Sequence, residues 1–293
     1  MKDAILFFCV GEMFWEFGRF VPHFIWKRLD QYKGRKNIDF IVLTKPENFD
    51  MYGNYANILV PFRLNNSLYK PNCFRLDNMT NVEYLSIIDL FKKQFQDRYN
   101  ILEVVYPNIV GKNYMNKKQY LETQKNYNYS PRGSNKEIIN SYLSKKQTVT
   151  LSPRYREGFK RNWNYWNELY DLIYSNKQLI EKYNFVICGK PLEYIPDKQN
   201  RFLDINNFEK TQNTSLIGLT MECIKKSILT IGSQSAIPNI SLLFGVHALE
   251  WGHQKHLHTV TYNIRKTKVT FLDDPNYNIQ PEKVYNEILK ILK

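Results

Sequence analysis

Three segments of this chain place side chains that could handle a charged, phosphorylated substrate. In 228–239 an apolar strand runs into Gly232-Ser233-Gln234-Ser235 and then into a helix with Pro238 in its first turn, where a missing N–H costs nothing. Gly245 stands where a helix-terminating glycine belongs. Such a strand end gathers free backbone N–H groups, the positive end of a helix dipole and two hydroxyls, which is a cradle for phosphate. Ser235 could equally serve as a plain helix cap. In 152–163, Arg154, Arg156, Lys160 and Arg161 put four cations within eight residues between a strand and a helix. They could neutralise a diphosphate that the serine turn also holds, although each arginine taken singly reads as surface charge. The third segment, 11–23, sets Glu12 and Glu16 among Phe14, Trp15 and Phe17 directly after the first strand, where α/β proteins position catalytic groups. Desolvation there would raise a carboxylate toward the pKa of a useful general base; the plainer alternative pairs Glu16 with Arg19 or with a helix N-terminus.

The elements that must carry these segments follow from periodicity. Buried strands are expected at 4–10, 38–44, 57–61 and 100–106, with helices at 18–30 and 82–95, which is βαβ order. Between 108 and 146 apolar periodicity gives way to Asn, Lys, Tyr and Ser, with one helix expected at 135–143. Alternation then resumes. Strands are expected at 148–152, 185–188, 228–231 and 246–251, and helices at 214–226, 236–244 and 281–292. A longer helix is expected from the spacing of Trp163, Trp166, Tyr170, Ile173, Leu179 and Ile180. Two successive α/β halves predict an α/β protein of two Rossmann-like domains, 1–145 and 146–293, facing each other across a cleft, with the last helix able to pack back on the N-terminal domain.

Composition limits the partners. The 293 residues are 43% hydrophobic, enough for a large core, and carry a net charge of +13 that favours anionic partners. Twelve Lys or Arg against three acids in 104–161 supply +9 of it. Cys9, Cys73, Cys188 and Cys223 form no CxxC pair, so a reducing compartment is expected rather than a zinc ribbon or a disulfide framework. Gly11-Glu12 follows the first apolar run where a signal peptide would need a cleavage site, and no apolar stretch reaches the ~20 residues that span a bilayer. A cytoplasmic protein, soluble or held peripherally at an acidic membrane surface, is therefore expected. His253, His256 and His258 form H-x2-H-x-H, but alternate loop positions need not converge, so no metal site is expected.

Taken together, the serine turn with "SLLFGVHALEWG", the "FVICGK" strand and turn, and "SPRYREGFKRNWNYWNEL" resemble the donor domain of GT-B glycosyltransferases, nearest to the heptosyltransferase-like and surface-glycan transferases. "GEMFWEFGRFVP" resembles the first acceptor-side loop of that group. The likeness is loose over the whole chain and best over 148–252, and Asn164 stands where the group usually has Pro after Trp163. The resemblance implies a cytoplasmic transferase moving a sugar from a nucleotide-sugar donor to a glycan or glycolipid hydroxyl, inverting and independent of metal. On that likeness Glu12 is the base and Glu16 the reserve, and Arg161 contacts the donor diphosphate with Arg154 and Arg156 in support. Ser233, Gln234 and Ser235 hold phosphate, and Gly189 and Lys190 border the nucleotide pocket. No cofactor is implied, since the nucleotide sugar is a substrate, and the Asp-x-Asp of GT-A enzymes is lacking: Asp273-Asp274 are adjacent.

Two other readings stay open. A GT-B sugar-nucleotide enzyme such as an epimerase would share the fold. A binding module for single-stranded nucleic acid could stack bases on Tyr114, Tyr120, Tyr127 and Tyr129, but these follow no known aromatic pattern of such modules, and no nucleic-acid partner is expected.

Overall fold

The computed structural model describes residues 1–9, 21, 24–25, 27–52, 55–62, 81–106, 135–143, 145–155, 161–189, 194–208, 215–253, 263 and 265–293, with backbone alone for 47, 81–84 and 135–136. The chain forms two compact units, Met1–Arg132 and Gly133–Lys293. Among the described residues no helix is long and apolar enough to cross a membrane.

The N-terminal unit runs β1 (Lys2–Phe8), α1 (Lys27–Gln31), β2 (Ile38–Thr44), a 3-10 turn (Pro46–Tyr52), β3 (Ile58–Pro61), α2 (Asn81–Gln96) and β4 (Tyr99–Val105). Its strands are parallel in the order β3-β2-β1-β4. Ala4 to Phe8 are all fully buried, as a central parallel strand with both faces covered requires. On one of those faces Ile88, Phe91 and Phe95 of α2 pack over Ala4, Leu6 and Phe8. Arg28 of α1 reaches the carboxylate of Glu103 on β4 at 2.5 Å. Of the expected helix at 18–30, the described residues show Val21, Phe24 and Ile25 in π-helical conformation, followed by α1.

The C-terminal unit runs α3 (Asn135–Tyr142), β5 (Gln147–Ser152), α4 (Trp166–Ser175), α5 (Lys177–Lys182), β6 (Tyr183–Ile187), β7 (Leu203–Asp204), α6 (Leu216–Lys226), β8 (Ser227–Ser233), α7 (Ala236–Leu243), β9 (His247–Gly252), β10 (Val269–Asp273) and α8 (Pro281–Leu292). Six parallel strands lie in the order β10-β9-β8-β5-β6-β7, the doubly wound arrangement that reverses direction at β5. Neither β7 nor β10 is expected from the sequence. In place of one helix across Trp163 to Ile180, Trp163 lies in the turn before α4, and Asn176 ends α4 and caps α5 by accepting the Leu179 N–H at 3.2 Å. Trp163 is buried there by its indole N–H, which donates to the Ile279 carbonyl at 2.8 Å, and by Trp251, whose ring centre lies 4.6 Å away. The apolar stripe of α8, Val284, Ile288 and Leu292, joins the same core. Gly245 has φ +76°, the left-handed conformation that closes α7.

The segment leaving the end of β6 returns to β7 past a charged brace. The Asp197 carboxylate accepts from the backbone N–H groups of Gln199, Arg201 and Phe202 and from the Arg201 guanidinium, which also meets Asp171 at 2.5 Å. Burial works to raise the Asp197 carboxyl, but the Arg201 guanidinium and the amides of Arg201 and Gln199 outweigh it and hold its pKa below the usual aspartate range. A carboxyl lowered on folding contributes stability above the ordinary aspartate pKa of about 3.9 and loses it as the pH falls through the lowered value. Arg201→Met leaves that carboxylate buried without its cation, so the substitution should cost about 3 kcal/mol in urea unfolding at pH 7. The cost should shrink toward pH 3; an equal cost at both pH values would show that the brace does not act through Asp197.

Candidate functional site

The C-terminal ends of β6, β5, β8 and β9 lie side by side, and the sheet order reverses between β5 and β8. Connections leave these two strands toward opposite faces, so a crevice opens outside their ends. The last rung there pairs Ser152 with Gly232. A Cβ on Gly232 would sit 3.1 Å from the Cβ and carbonyl oxygen of Ser152 and 3.2 Å from Cγ of Pro238. Glycine therefore lets the start of α7 close onto the end of β5.

Beyond this rung the backbone N–H of Gln234 donates to Trp251 O at 2.9 Å, and its carbonyl accepts from Nη1 of Arg154 at 3.4 Å. The structure thus brings Arg154 across to the serine turn. Ser235 is the residue before α7, with φ −154° and ψ −176°, and its side chain makes no capping hydrogen bond. The capping alternative is not realised, and the first-turn amides of α7 keep the unmet hydrogen-bonding capacity of a helix start. Ser233 is fully buried opposite Trp251, with no hydrogen-bond partner for its hydroxyl; strand alternation turns it toward the tryptophan face, away from Gly232 and Pro238. On the other flank, a Cβ on Gly189 would come within 2.6 Å of Cβ of Tyr194 and 3.2 Å of Pro153 O, so only glycine lets the segment after β6 fold this closely over the end of β5.

Arg161 and Arg154 both act on Tyr277, which the sequence reading did not single out. Burial pushes the Tyr277 phenol up, and the two arginines pull in the opposite direction, as does the backbone N–H of His253. The Tyr277 hydroxyl donates to Oε1 of Gln234 at 3.3 Å. Gly252 is the second residue missed: a Cβ there would lie 2.8 Å from both Gln234 Oε1 and the Tyr277 hydroxyl. Its signal was a glycine closing a strand, and that of Tyr277 a turn-forming Asp274-Pro275-Asn276 just before it. Glu12, Glu16, Arg156, Lys160 and Lys190 lie outside the described residues, as do His256 and His258. The chain leading to Glu12 leaves β1, where the order of the N-terminal sheet reverses.

No protein-family model matches the chain, and no curated protein sequence does. Solved structures do match over nearly its full length. They include a family 9 glycosyl transferase from Veillonella parvula (9% identity, 99% of this chain and 97% of that one, TM-score 0.54) and the E. coli ADP-heptose lipopolysaccharide heptosyltransferase II (11% identity, 99% and 98%, TM-score 0.56). An E. coli heptosyltransferase solved with ADP matches at 8% identity over 98% of this chain and 99% of that one, with TM-score 0.52. The fold is accordingly GT-B, built of two Rossmann-like units, as in these transferases.

The two helix-start serines should separate in stability. Ser215 accepts the Gly218 N–H at 3.0 Å, so Ser215→Ala should cost about 1 kcal/mol in chemical denaturation. Ser235→Ala should leave the unfolding midpoint where it is. A comparable loss at both would mean that Ser235 caps α7 in solution.

Proposed function

We propose that this chain is a glycosyltransferase that moves a sugar from a nucleotide-sugar donor to a hydroxyl of a glycan. The observation that carries the reading is the convergence of Arg154 with the Gly232–Ser235 turn at the reversal of the C-terminal sheet, in a chain whose fold is GT-B. A nucleotide's diphosphate suits that place. The first-turn amides of α7 and the Ser235 hydroxyl donate to its oxygens, and Arg154 and Arg161, with Arg156, Lys160 and Lys190 from the neighbouring sequence, offset its charge.

In this reading the acceptor oxygen attacks the anomeric carbon as the bond to the diphosphate breaks. Glu12, in the sequence that follows β1, takes the acceptor's proton, with Glu16 as the reserve base. The cations and the α7 dipole stabilise the nucleoside diphosphate that departs. The attack comes from the face opposite the leaving group, so configuration inverts, and no step calls on a metal. The C-terminal unit is then the donor domain and the N-terminal unit the acceptor domain. The positive charge of the sequence 112–146 would suit an acidic acceptor or an anionic membrane.

A thermal-shift panel of ADP, UDP, GDP and dTDP tests the donor site, because a ligand that binds only the folded chain raises its melting temperature. One of the four should do so, with ADP the first choice given the heptosyltransferase solved with it. Arg161→Ala should weaken that nucleotide about tenfold or more. No stabilisation by any of them, with salt-sensitive binding of oligonucleotides instead, would contradict the proposal. Glu12→Gln should abolish transfer while leaving nucleotide affinity intact; retained turnover would move the base to Glu16.

A further inference from the structure

The loop that follows β10 is built as a brace, and it reaches three of the strand exits described above. Asp274 begins it by donating its N–H to Gly252 O at 2.8 Å, and its carboxylate accepts from the N–H groups of Asn276 and Ile279. The turn carries Tyr277 at φ +54°, a conformation that costs free energy for any residue but glycine and survives only where the surroundings impose it. Two anchors hold the far side: Trp163 Nε1–H on Ile279 O, and the Tyr165 hydroxyl on Asn278 Oδ1 at 2.8 Å. The outcome is a phenol 5% exposed whose hydroxyl donates to Oε1 of Gln234 and lies in the field of Arg161, Glu250 and Arg154.

Gln234 is thereby held from three directions. Its N–H is on Trp251, its carbonyl on Arg154 and its side chain on Tyr277. It sits between Ser233 and Ser235, so whatever fixes Gln234 fixes the start of α7 and the reach of Arg154. The absent side chain of Gly252 is part of the same arrangement, since a methyl there would contact both members of the Gln234–Tyr277 pair.

We propose that Tyr277 is a positioning residue for the phosphate-binding turn, acting through its hydrogen bond to Gln234 rather than by touching substrate. This rests on the donor-site reading above. Removing the hydroxyl leaves the buried ring in place and takes away the hydrogen bond to Gln234 Oε1, so the diphosphate loses alignment while the nucleoside part of the ligand does not.

The test is calorimetric titration of the full chain with whichever of ADP, UDP, GDP and dTDP stabilises the wild type, and with the matching nucleoside. Tyr277→Phe should weaken the diphosphate about fivefold to tenfold and leave the nucleoside's affinity within twofold. Gln234→Leu should weaken the diphosphate similarly, and the double variant should be no worse than the weaker single one, because both remove one interaction. Gly252→Ala, which forces the pair apart without deleting either, should reproduce the loss even if Tyr277→Phe folds poorly. Equal diphosphate affinity in wild type and Tyr277→Phe would overturn the inference. So would losses that add in the double variant, or a nucleoside that weakens in step. A wild type that binds none of the four diphosphates would overturn the donor-site reading itself, and this inference with it.

Discussion

The pairing of β5 with β8, Ser152 against Gly232 in the last rung, is the constraint on which the rest of the C-terminal unit depends. Parallel strands need crossover connections, and two neighbours whose connections leave to opposite faces open a crevice that neither can fill. Everything chemical in the unit is arranged around that edge. Gly232 admits Pro238 and the end of β5, Gly189 admits Tyr194, and Gly252 admits Gln234 and Tyr277. Three glycines at three strand ends let neighbouring groups come closer there than a side chain at those positions would allow.

Close approach of that kind needs rigid support, and the tryptophans supply it. Trp163, Trp166 and Trp251 are fully buried, with ring centres 4.6 to 5.5 Å apart. Each aromatic of this size removes on the order of 200 Å² from water. Trp251 stands directly below the turn, since its carbonyl holds Gln234 N–H, and Trp163 ties the exit of β5 to the loop after β10. The core and the candidate site are therefore one continuous structure. A change in packing at the tryptophans would be felt by the serine turn through Trp251, whose carbonyl holds Gln234 N–H, and through Trp163, which anchors the loop carrying Tyr277.

Much of the architecture was legible because buried parallel strands are written as unbroken apolar runs, as in Ala4 to Phe8, and because turn residues punctuate them. The exceptions have physical causes. Leu203–Asp204 is too short to show a period, and Val269–Asp273 is an edge strand of half-buried residues. The run from Trp163 to Ile180 keeps helical spacing through the break at Asn176, because Trp163 in the turn and Leu179 of α5 are buried in the same core as Trp166, Tyr170 and Ile173 of α4. Arg154, Arg161, Gly189 and the serine turn could be named from the sequence as strand-exit residues because strand-end positions are local in sequence. Tyr277 could not, since its partner Gln234 lies 43 residues away and only the fold brings the loop back. Asp273-Asp274, which drew notice as adjacent acids, proves to contain the carboxylate that shapes that loop.

Backbone hydrogen exchange measured with and without a saturating nucleoside diphosphate bears most directly on the claim that a diphosphate sits at the β5–β8 crevice. The account predicts slowed exchange in peptides covering 152–161 and 232–240, where amides and arginines would meet the ligand, with little change in 216–226 of α6. Protection confined to other segments, with 232–240 exchanging as fast as in the free protein, would contradict it.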